Sequence, residues 1–381
     1  MAERVDLHIG LPNAGTAYLQ QLLFDNLGTL GVGLVGESPR ALDRAAREIA
    51  ELGGGAQWQV VADAVSAAPD RILLSCEGFS AADAAGAARA VRDLAPADVR
   101  VVCTVQHPAR LIPLAWKQHV RSGATESLDE FVEGLRDGAY SRLVPDAVNV
   151  VDAWAAAVPA ADLHVVVVPS SAESGSGLWP LFASATDLDP TIADRWEWKD
   201  GSPGDVTHEL LRRVNVALGD RVPDAHRRYR ELVRPLLRSA DGDDVGRRMT
   251  LSQGDTAWAT ERGQSFAAAL GQRSHPVHGD LADLHAATTD DSVEAGPVDD
   301  AAIAPPAVEM IAALLTTLRN TRARIPDQDK QTTLRNTRAR IPDQDKQTKR
   351  RNARARIPDQ DKQTKRRARA ATRGVPGPDR G

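Results

Sequence analysis

Residues 4–23 of the chain read RVDLHIGLPNAGTAYLQQLL. The apolar residues from Val5 to Ile9 predict a short strand, Gly10 and Gly15 bound a tight loop, and Thr16 to Asn26 has helical spacing. A strand that turns through a glycine loop into a helix directs several backbone N–H groups and the positive end of the helix dipole at one point. The stretch therefore predicts an anion site, and phosphate is the usual ligand of such sites.

Strand and helix patterns alternate through the first half of the chain. The clearest strand signals are three nearly continuous apolar runs, at Arg71–Glu77, Val99–Val105 and Leu163–Val168. This alternation predicts an α/β fold with a parallel sheet covered by helices on both faces. Ligands of such sheets lie beyond the carboxyl ends of the strands. The loops after Ile9, Ser75 and Val105 are therefore expected to converge.

The second half of the chain is mostly helical and ends in a repeat. Helical spacing predicts a C-terminal covering of four helices, at Leu178–Thr186, Val206–Leu218, Ala225–Leu237 and Thr256–Gly271. Residues 291–315 read as a linker with one short helix. The 16 residues from Thr316 to Gln331 recur identically from Thr332 to Gln347. With a central proline and almost no apolar residues, these repeats predict a disordered tail over 316–381, after an α/β domain over 1–290.

The formal net charge of −5 conceals two oppositely charged regions. Residues 316–381 contain 20 Lys and Arg against 7 Asp and Glu, whereas the remainder contains 27 against 45. No aromatic residue follows Thr316, so base stacking is excluded and only contacts to phosphate remain for a nucleic acid. The tail is expected to be solvated, with weak polyanion contact as the alternative.

Composition excludes several other classes of protein. The chain has only two cysteines, Cys76 and Cys103, each inside an apolar run, which excludes a disulfide framework. No apolar run approaches the ~18–20 residues needed to cross a bilayer, and no basic-then-apolar leader precedes Val5. A cytoplasmic protein without a membrane partner is expected. The oligomeric state is left open.

The first loop resembles a known phosphosulfate-binding loop. Its Gly10-x4-Gly15 spacing is that of a P-loop, but Thr16 stands where a nucleotide triphosphatase needs lysine. The segment Pro12-Asn13-Ala14-Gly15-Thr16-Ala17 resembles the 5′-phosphosulfate loop of sulfotransferases, Pro-Lys-x-Gly-Thr-Thr in bacterial members. Asn13 replaces the lysine of that loop, and Ala17 replaces its last threonine.

Further stretches extend this resemblance to about the first 290 residues. LLSCE at 73–77 is similar to a family strand ending in Ser-Ser-Glu, and VVCTVQHPARLIPLAWKQ at 101–118 is similar to the family segment Val-x-Thr-x-Arg-Asp-x-x-Arg-Gln-x-Pro-Ser/Ala-x-Trp-Gln. The order of these stretches resembles the sulfotransferase-like family of actinobacterial type, in the P-loop superfamily. The resemblance implies a P-loop-like sheet, and the tail lies outside it.

The resemblance also implies a reaction and a set of site residues. The family transfers a sulfuryl group from 3′-phosphoadenosine-5′-phosphosulfate (PAPS), used as a co-substrate without a metal, to a hydroxyl or amine of a small-molecule or glycan acceptor. The 5′-phosphosulfate would be held by the loop residues Gly10, Leu11, Pro12, Asn13, Ala14, Gly15, Thr16 and Ala17. At the 3′-phosphate site Gln106 replaces arginine and Leu114 replaces serine, whereas Arg110 is retained. Asn13 would stand at the catalytic lysine position, and Glu77 is the candidate general base.

Several of these assignments have a simpler alternative, and for the first loop it is a plain turn between a strand and a helix. Glu77 is equally well explained as an ion-paired carboxylate at a strand end. His107 is expected to cap a helix rather than act as a base, and His8 to be a core histidine whose hydrogen bonds are satisfied. Because Asn13, Gln106 and Leu114 all weaken contacts to PAPS, the enzyme is expected to be catalytically impaired. The alternative function is a nonenzymatic binding or scaffold protein with the same fold.

Overall fold

A computed structural model describes residues 2–35, 42–68, 70–170, 177–195, 204–221, 250–285, 298–316 and 318–319. The expected helix at Ala225–Leu237 and the repeats after Arg319 lie outside these residues. The chain divides into two compact units, Met1–Ala313 and Leu314–Gly381. The first unit contains the sheet and the loop between its first strand and first helix.

Six strands of the described residues form one parallel sheet. They are β1 (Arg4–His8), β2 (Gly33–Leu34), β3 (Arg71–Ser75), β4 (Asp98–Val105), β5 (Leu163–Val167) and β6 (Val277–His278). Their order across the sheet is β2-β3-β1-β4-β5-β6, and all the pairings are parallel. The chain leaves β1 toward β2 on one side and leaves β4 toward β5 on the other. The carboxyl ends of β1 and β4 thus flank a switch point, which is where ligands of open α/β sheets bind.

Helices connect the strands and flank the sheet. They are α1 (Thr16–Asp25), α2 (Asp43–Leu52), α3 (Ala56–Ala67), α4 (Ala84–Asp93), α5 (Pro108–Arg121), α6 (Leu128–Arg136), α7 (Ala147–Ala155), α8 (Leu178–Thr186), α9 (Asp205–Leu218) and α10 (Gln253–Gly271). The predicted α/β class with a parallel sheet is confirmed. Residues 300–313 are also helical.

The apolar core has two parts. The larger cluster surrounds the sheet and includes strand residues with no exposed surface, such as Val5, Leu7, Val101 and Leu163. This burial explains why the strands are continuous apolar runs. A smaller cluster, with Trp116 and residues of α5, α6, α9 and α10, forms a helical covering. None of the described helices has both the length and the apolar character required to cross a membrane.

Local signals located most of the helix ends. Pro108 begins α5, and Ser127 begins α6 with a full capping box. The expectation that Ser80 caps the alanine-rich helix is wrong. Asp83 accepts a hydrogen bond from the Gly86 N–H and begins α4, whereas Ser80 lies in the preceding 3-10 turn at Glu77–Ala81.

Candidate functional site

The loop between β1 and α1 is anchored on the carboxyl end of β4. The backbone N–H of Ile9 donates to the carbonyl of Val102 and that of Leu11 to the carbonyl of Thr104, both at 2.9 Å. The Ala14 N–H donates to the Leu11 carbonyl at 3.0 Å, which closes the loop as a tight turn. The loop is therefore held between the two strands that flank the switch point.

The loop enters α1 through two left-handed residues. Asn13 has φ 65° and Gly15, at the N-cap of α1, has φ 85°. Asparagine is among the few non-glycine residues that adopt this conformation readily, which favours asparagine over lysine at position 13. A Cβ on Gly15 would contact the end of the Leu178 side chain, and the φ of Gly15 is one that glycine adopts without strain. No side chain of the described residues caps α1 at Gly15, and the first turn of a helix has no intrahelical partner for its N–H groups.

Thr16 supplies an unpartnered hydroxyl at this helix end. Its side chain is 3% exposed, and Oγ1 has no hydrogen-bond partner among the described residues. A Cβ on Gly10 would collide with Thr104 Oγ1 and would lie 2.7 Å from His8 Nε2 and 3.2 Å from Thr16 Oγ1. Only glycine allows the backbone to pass this close to three polar side-chain atoms. A buried hydroxyl without a partner costs stability, and a ligand oxygen would satisfy it.

Leu11, Pro12, Ala14 and Ala17 have no polar side chain to offer to a ligand. Leu11 and Ala14 have no exposed surface and belong to the core around the sheet. Pro12 is half-buried, and Ala17 is exposed on the first turn of α1. The loop can therefore bind an anion through N–H groups and the Thr16 hydroxyl, with no cationic side chain of its own.

Glu77 and Gln118, from two distant parts of the sequence, both contact the loop. The Asn13 N–H donates to Glu77 Oε2, and Asn13 Nδ2 donates to Gln118 Oε1, each at 3.4 Å. Glu77 opens the 3-10 turn that follows β3, and Gln118 lies on α5. The expected convergence of the loops after β1 and β3 is thus observed, whereas the contact of Gln118 was not predicted.

The residues expected at a 3′-phosphate lie on α5 or just before it. Gln106 is 7% exposed, and Leu114 is 38% exposed on the surface of α5. Nη1 of Arg110 donates to the carbonyls of Pro169 and Ser170 at 3.1 and 2.9 Å. The retained arginine is thus tied to the chain that leaves β5.

Two histidines near the loop are hydrogen-bonded as expected from sequence. His107 caps α5, since its Nδ1 accepts from the Ala109 N–H at 3.0 Å. Burial, with the nearby Arg110 charge, lowers the pKa of His107 to about 4. His8 is buried between Ser75 Oγ, 2.8 Å from Nδ1, and Thr104 Oγ1, 3.1 Å from Nε2. Burial lowers the pKa of His8 to about 3, so its ring is neutral at physiological pH.

A groove of about 600 Å³ opens beside the Glu77 turn. The Ser80 hydroxyl, which lines it, donates to the Glu77 carbonyl at 2.7 Å. The polar side chains of the groove include those of Ser80, Asp83, Ser141, Asp146, Asn149 and Asp152. Within the described parts of the chain, no group of three or more His, Cys, Asp or Glu side chains has a metal-binding arrangement.

Comparisons of the chain with protein-family models, with curated proteins and with solved structures found no match. Its function is therefore inferred from the contacts described above.

Proposed function

We propose that the chain is a P-loop-like sulfotransferase that binds PAPS by its 5′-phosphosulfate and transfers the sulfuryl group slowly. The unpartnered Thr16 hydroxyl carries this proposal, because it is 3% exposed and lies at the uncapped N-terminus of α1. An anion at a helix N-terminus is stabilised by the helix dipole and by the free N–H groups. The position of the loop at the switch point of the sheet also supports a ligand there.

The residues around the loop fit one end of PAPS better than the other. The backbone N–H groups of the first turn of α1, with the Thr16 hydroxyl, offer neutral donors for the 5′-phosphosulfate. For the 3′-phosphate the chain offers Gln106, which is nearly buried, and Arg110, whose guanidinium already donates to two carbonyls. We therefore expect the 3′-phosphate to add little to nucleotide affinity.

In the proposed reaction, an acceptor oxygen or nitrogen forms a bond to sulfur while the bond between sulfur and the bridging phosphate oxygen breaks. Glu77 would take the proton of the acceptor group. The electron pair of the broken bond stays on the bridging oxygen, where the loop N–H groups and Asn13 Nδ2 stabilise the charge. A neutral amide is a weaker donor than an ammonium, since charge-assisted hydrogen bonds are roughly twice as strong. Asn13 thus accounts for slow transfer.

A nonenzymatic binding protein is the second candidate, and one contact favours it. The Glu77 carboxylate lies 3.4 Å from the Asn13 N–H, so an anion of the chain itself already contacts the loop. A ligand phosphate would have to compete with that carboxylate. If it cannot, the loop is a structural remnant and partners bind elsewhere on the chain.

Calorimetry with 3′-phosphoadenosine 5′-phosphate (PAP) and with adenosine 5′-phosphate distinguishes the two candidates. The sulfotransferase proposal predicts PAP binding in roughly the micromolar range, with a less than about tenfold preference over adenosine 5′-phosphate. Thr16→Val should weaken both ligands, whereas Thr29→Val, at the exposed end that follows α1, should weaken neither. No heat of binding with either nucleotide at millimolar concentration would favour the nonenzymatic protein.

A further inference from the structure

Beneath the loop, three buried polar side chains form a row across the central strands. Ser75 Oγ contacts His8 Nδ1 at 2.8 Å, and His8 Nε2 contacts Thr104 Oγ1 at 3.1 Å. His8 and Thr104 have no exposed surface, and Ser75 is 8% exposed. The parallel register places His8 directly beside Ser75, at the carboxyl ends of β1 and β3.

The hydrogen bonds of the row all run in one direction, because a neutral imidazole donates from one nitrogen and accepts at the other. With burial lowering the pKa of His8 to about 3, the ring carries one N–H and one lone pair. In one arrangement the Ser75 hydroxyl donates to Nδ1, and Nε2–H donates to Thr104. In the other arrangement Nδ1–H donates to Ser75, and the Thr104 hydroxyl donates to Nε2. Both arrangements satisfy the ring.

The two arrangements differ in what Thr104 offers to the loop. When Nε2–H donates to Thr104, the hydroxyl hydrogen of Thr104 is free to point away from His8. When Thr104 donates to Nε2, that hydrogen is used, and only oxygen lone pairs remain for other contacts. Lone pairs repel an anion, and a hydroxyl hydrogen attracts it.

The side-chain oxygens of Thr104 and Thr16 lie on the same side of Gly10. A Cβ on Gly10 would collide with Thr104 Oγ1 and would lie 3.2 Å from Thr16 Oγ1. Within the described ranges, Thr16 Oγ1 has no partner. The Thr104 hydroxyl therefore lies beneath the part of the loop that also contains the Thr16 hydroxyl.

We propose that His8 is a positioning residue for the loop: an oxyanion bound there selects the Nε2–H tautomer of His8, so that the buried Thr104 hydroxyl points its hydrogen toward the loop while the Thr16 hydroxyl donates to the anion. The imidazole thereby orients the dipole of the Thr104 hydroxyl beneath the bound anion. The ligand class is a phosphate or sulfate oxyanion. This inference rests on the anion site of the proposed function but not on sulfuryl transfer.

The first measurement is the tautomer of His8 by NMR. Long-range 1H–15N correlation spectra of protein with 15N-labelled histidine distinguish the two ring nitrogens, and the His8→Gln variant assigns the signals. The probe is inorganic phosphate, and its binding is followed by calorimetry on the same full-length chain. At saturation His8 should be in the Nε2–H form. Phosphate binding with His8 in the Nδ1–H form would overturn the proposal.

The second measurement compares matched threonine variants. Thr104→Val removes the hydroxyl with little change in shape and should weaken phosphate binding by about five- to tenfold, the worth of one hydrogen bond. Thr104→Ser keeps the hydroxyl and should restore the affinity. Thr186→Val is the control, since Thr186 has no exposed surface and its hydroxyl donates to the Phe182 carbonyl, outside the loop.

The outcomes separate this inference from the proposed function. Equal phosphate affinity in Thr104→Val and in the unmodified chain overturns the role of the row. Absence of phosphate binding in the unmodified chain overturns both the row and the anion site. Phosphate binding with the expected tautomer, but without sulfuryl transfer from PAPS, leaves the role of His8 intact and contradicts the enzyme.

Discussion

The two ends of the central strands carry polar groups of different kinds. Toward the amino end, Asp6 is buried on β1 between the guanidinium groups of Arg71, at 2.6 Å, and Arg100, at 3.7 Å. Arg100 continues to Asp187 at 2.8 Å. At the carboxyl end the buried polar side chains are neutral, and two atoms, the Thr16 hydroxyl oxygen and His107 Nε2, have no partner in the part of the chain that the structure describes.

We interpret the amino end of the strands as serving stability and the carboxyl end as serving ligand binding. Burial raises the pKa of Asp6, and the charges of Arg71 and Arg100 oppose that rise, so each group depends on its partners. Such a network holds the strands together through charge, and Asp6 Oδ1, which accepts no hydrogen bond among the described residues, is balanced by Arg100 at 3.7 Å. The carboxyl end has an incompletely satisfied hydroxyl and an uncapped helix, so a bound oxyanion would stabilise it.

The largest expected effect is on stability and comes from the amino end. Asp6→Ala leaves two partly buried guanidinium groups without their shared carboxylate, and the free energy of unfolding should fall by about 3–5 kcal/mol. Asp6→Asn keeps the shape and should cost less. Urea unfolding measures both, with the exposed Asp63→Ala as a control that should stay within about 0.5 kcal/mol of the unmodified chain.

Asp6→Ala also tests whether the two ends of the strands act separately. At a temperature where the variant is folded, its affinity for phosphate should equal that of the unmodified chain. A weakened affinity would mean that the charged network also shapes the loop, and the two ends could not be assigned separate roles.

The second expected effect is on rate and comes from the carboxyl end. Asn13→Lys adds the cation that the loop lacks and should raise sulfuryl transfer from PAPS by roughly 10²-fold, the worth of one preorganised donor. Since Asn13 has φ 65°, lysine there should also lower stability by about 1 kcal/mol. Asn13→Gly is the matched control, because it removes the side chain in a conformation that glycine adopts freely. An unchanged rate in an Asn13→Lys chain that binds PAP normally would place Asn13 away from the reacting group.

The sequence predicted the parts of this site that depend on neighbouring residues. Glycines at 10 and 15, followed by helical spacing from Thr16, were sufficient for the strand, loop and helix. Pro108 marked the start of α5 because proline is favoured in the first turn of a helix. Asp83 replaced Ser80 as the cap of α4 because the chain first completes a 3-10 turn, and β6 has only two residues, too few for a period.

Contacts between distant residues were beyond prediction from one sequence. His8 meets Ser75 and Thr104 across 67 and 96 residues, and the contact exists only because three strands align in a particular register. Asn13 contacts Gln118 across 105 residues because the fold brings α5 beside the loop. The sequence identified His8 as a satisfied core histidine but could not show which hydroxyls satisfy it.

The smallest expected effect is the response of stability to acid, which tests whether the carboxyl end is neutral. The folded chain holds His8 at a pKa of about 3, whereas the ordinary pKa of histidine, expected in the unfolded chain, is 6.5. Between these values the unfolded state binds the extra proton, so the contribution of His8 is complete above pH 6.5 and is lost as the pH falls. Its share of the slope is about 1.4 kcal/mol per pH unit.

Urea unfolding at pH 7, 6 and 5 should show this loss in the unmodified chain and a shallower loss in His8→Gln. Thr186→Val, at a buried side chain that does not titrate, serves as the control and should keep the slope of the unmodified chain. Equal slopes for His8→Gln and the unmodified chain would show that the folded chain binds a proton at His8 as readily as the unfolded chain does. The row beneath the loop would then not be a neutral network.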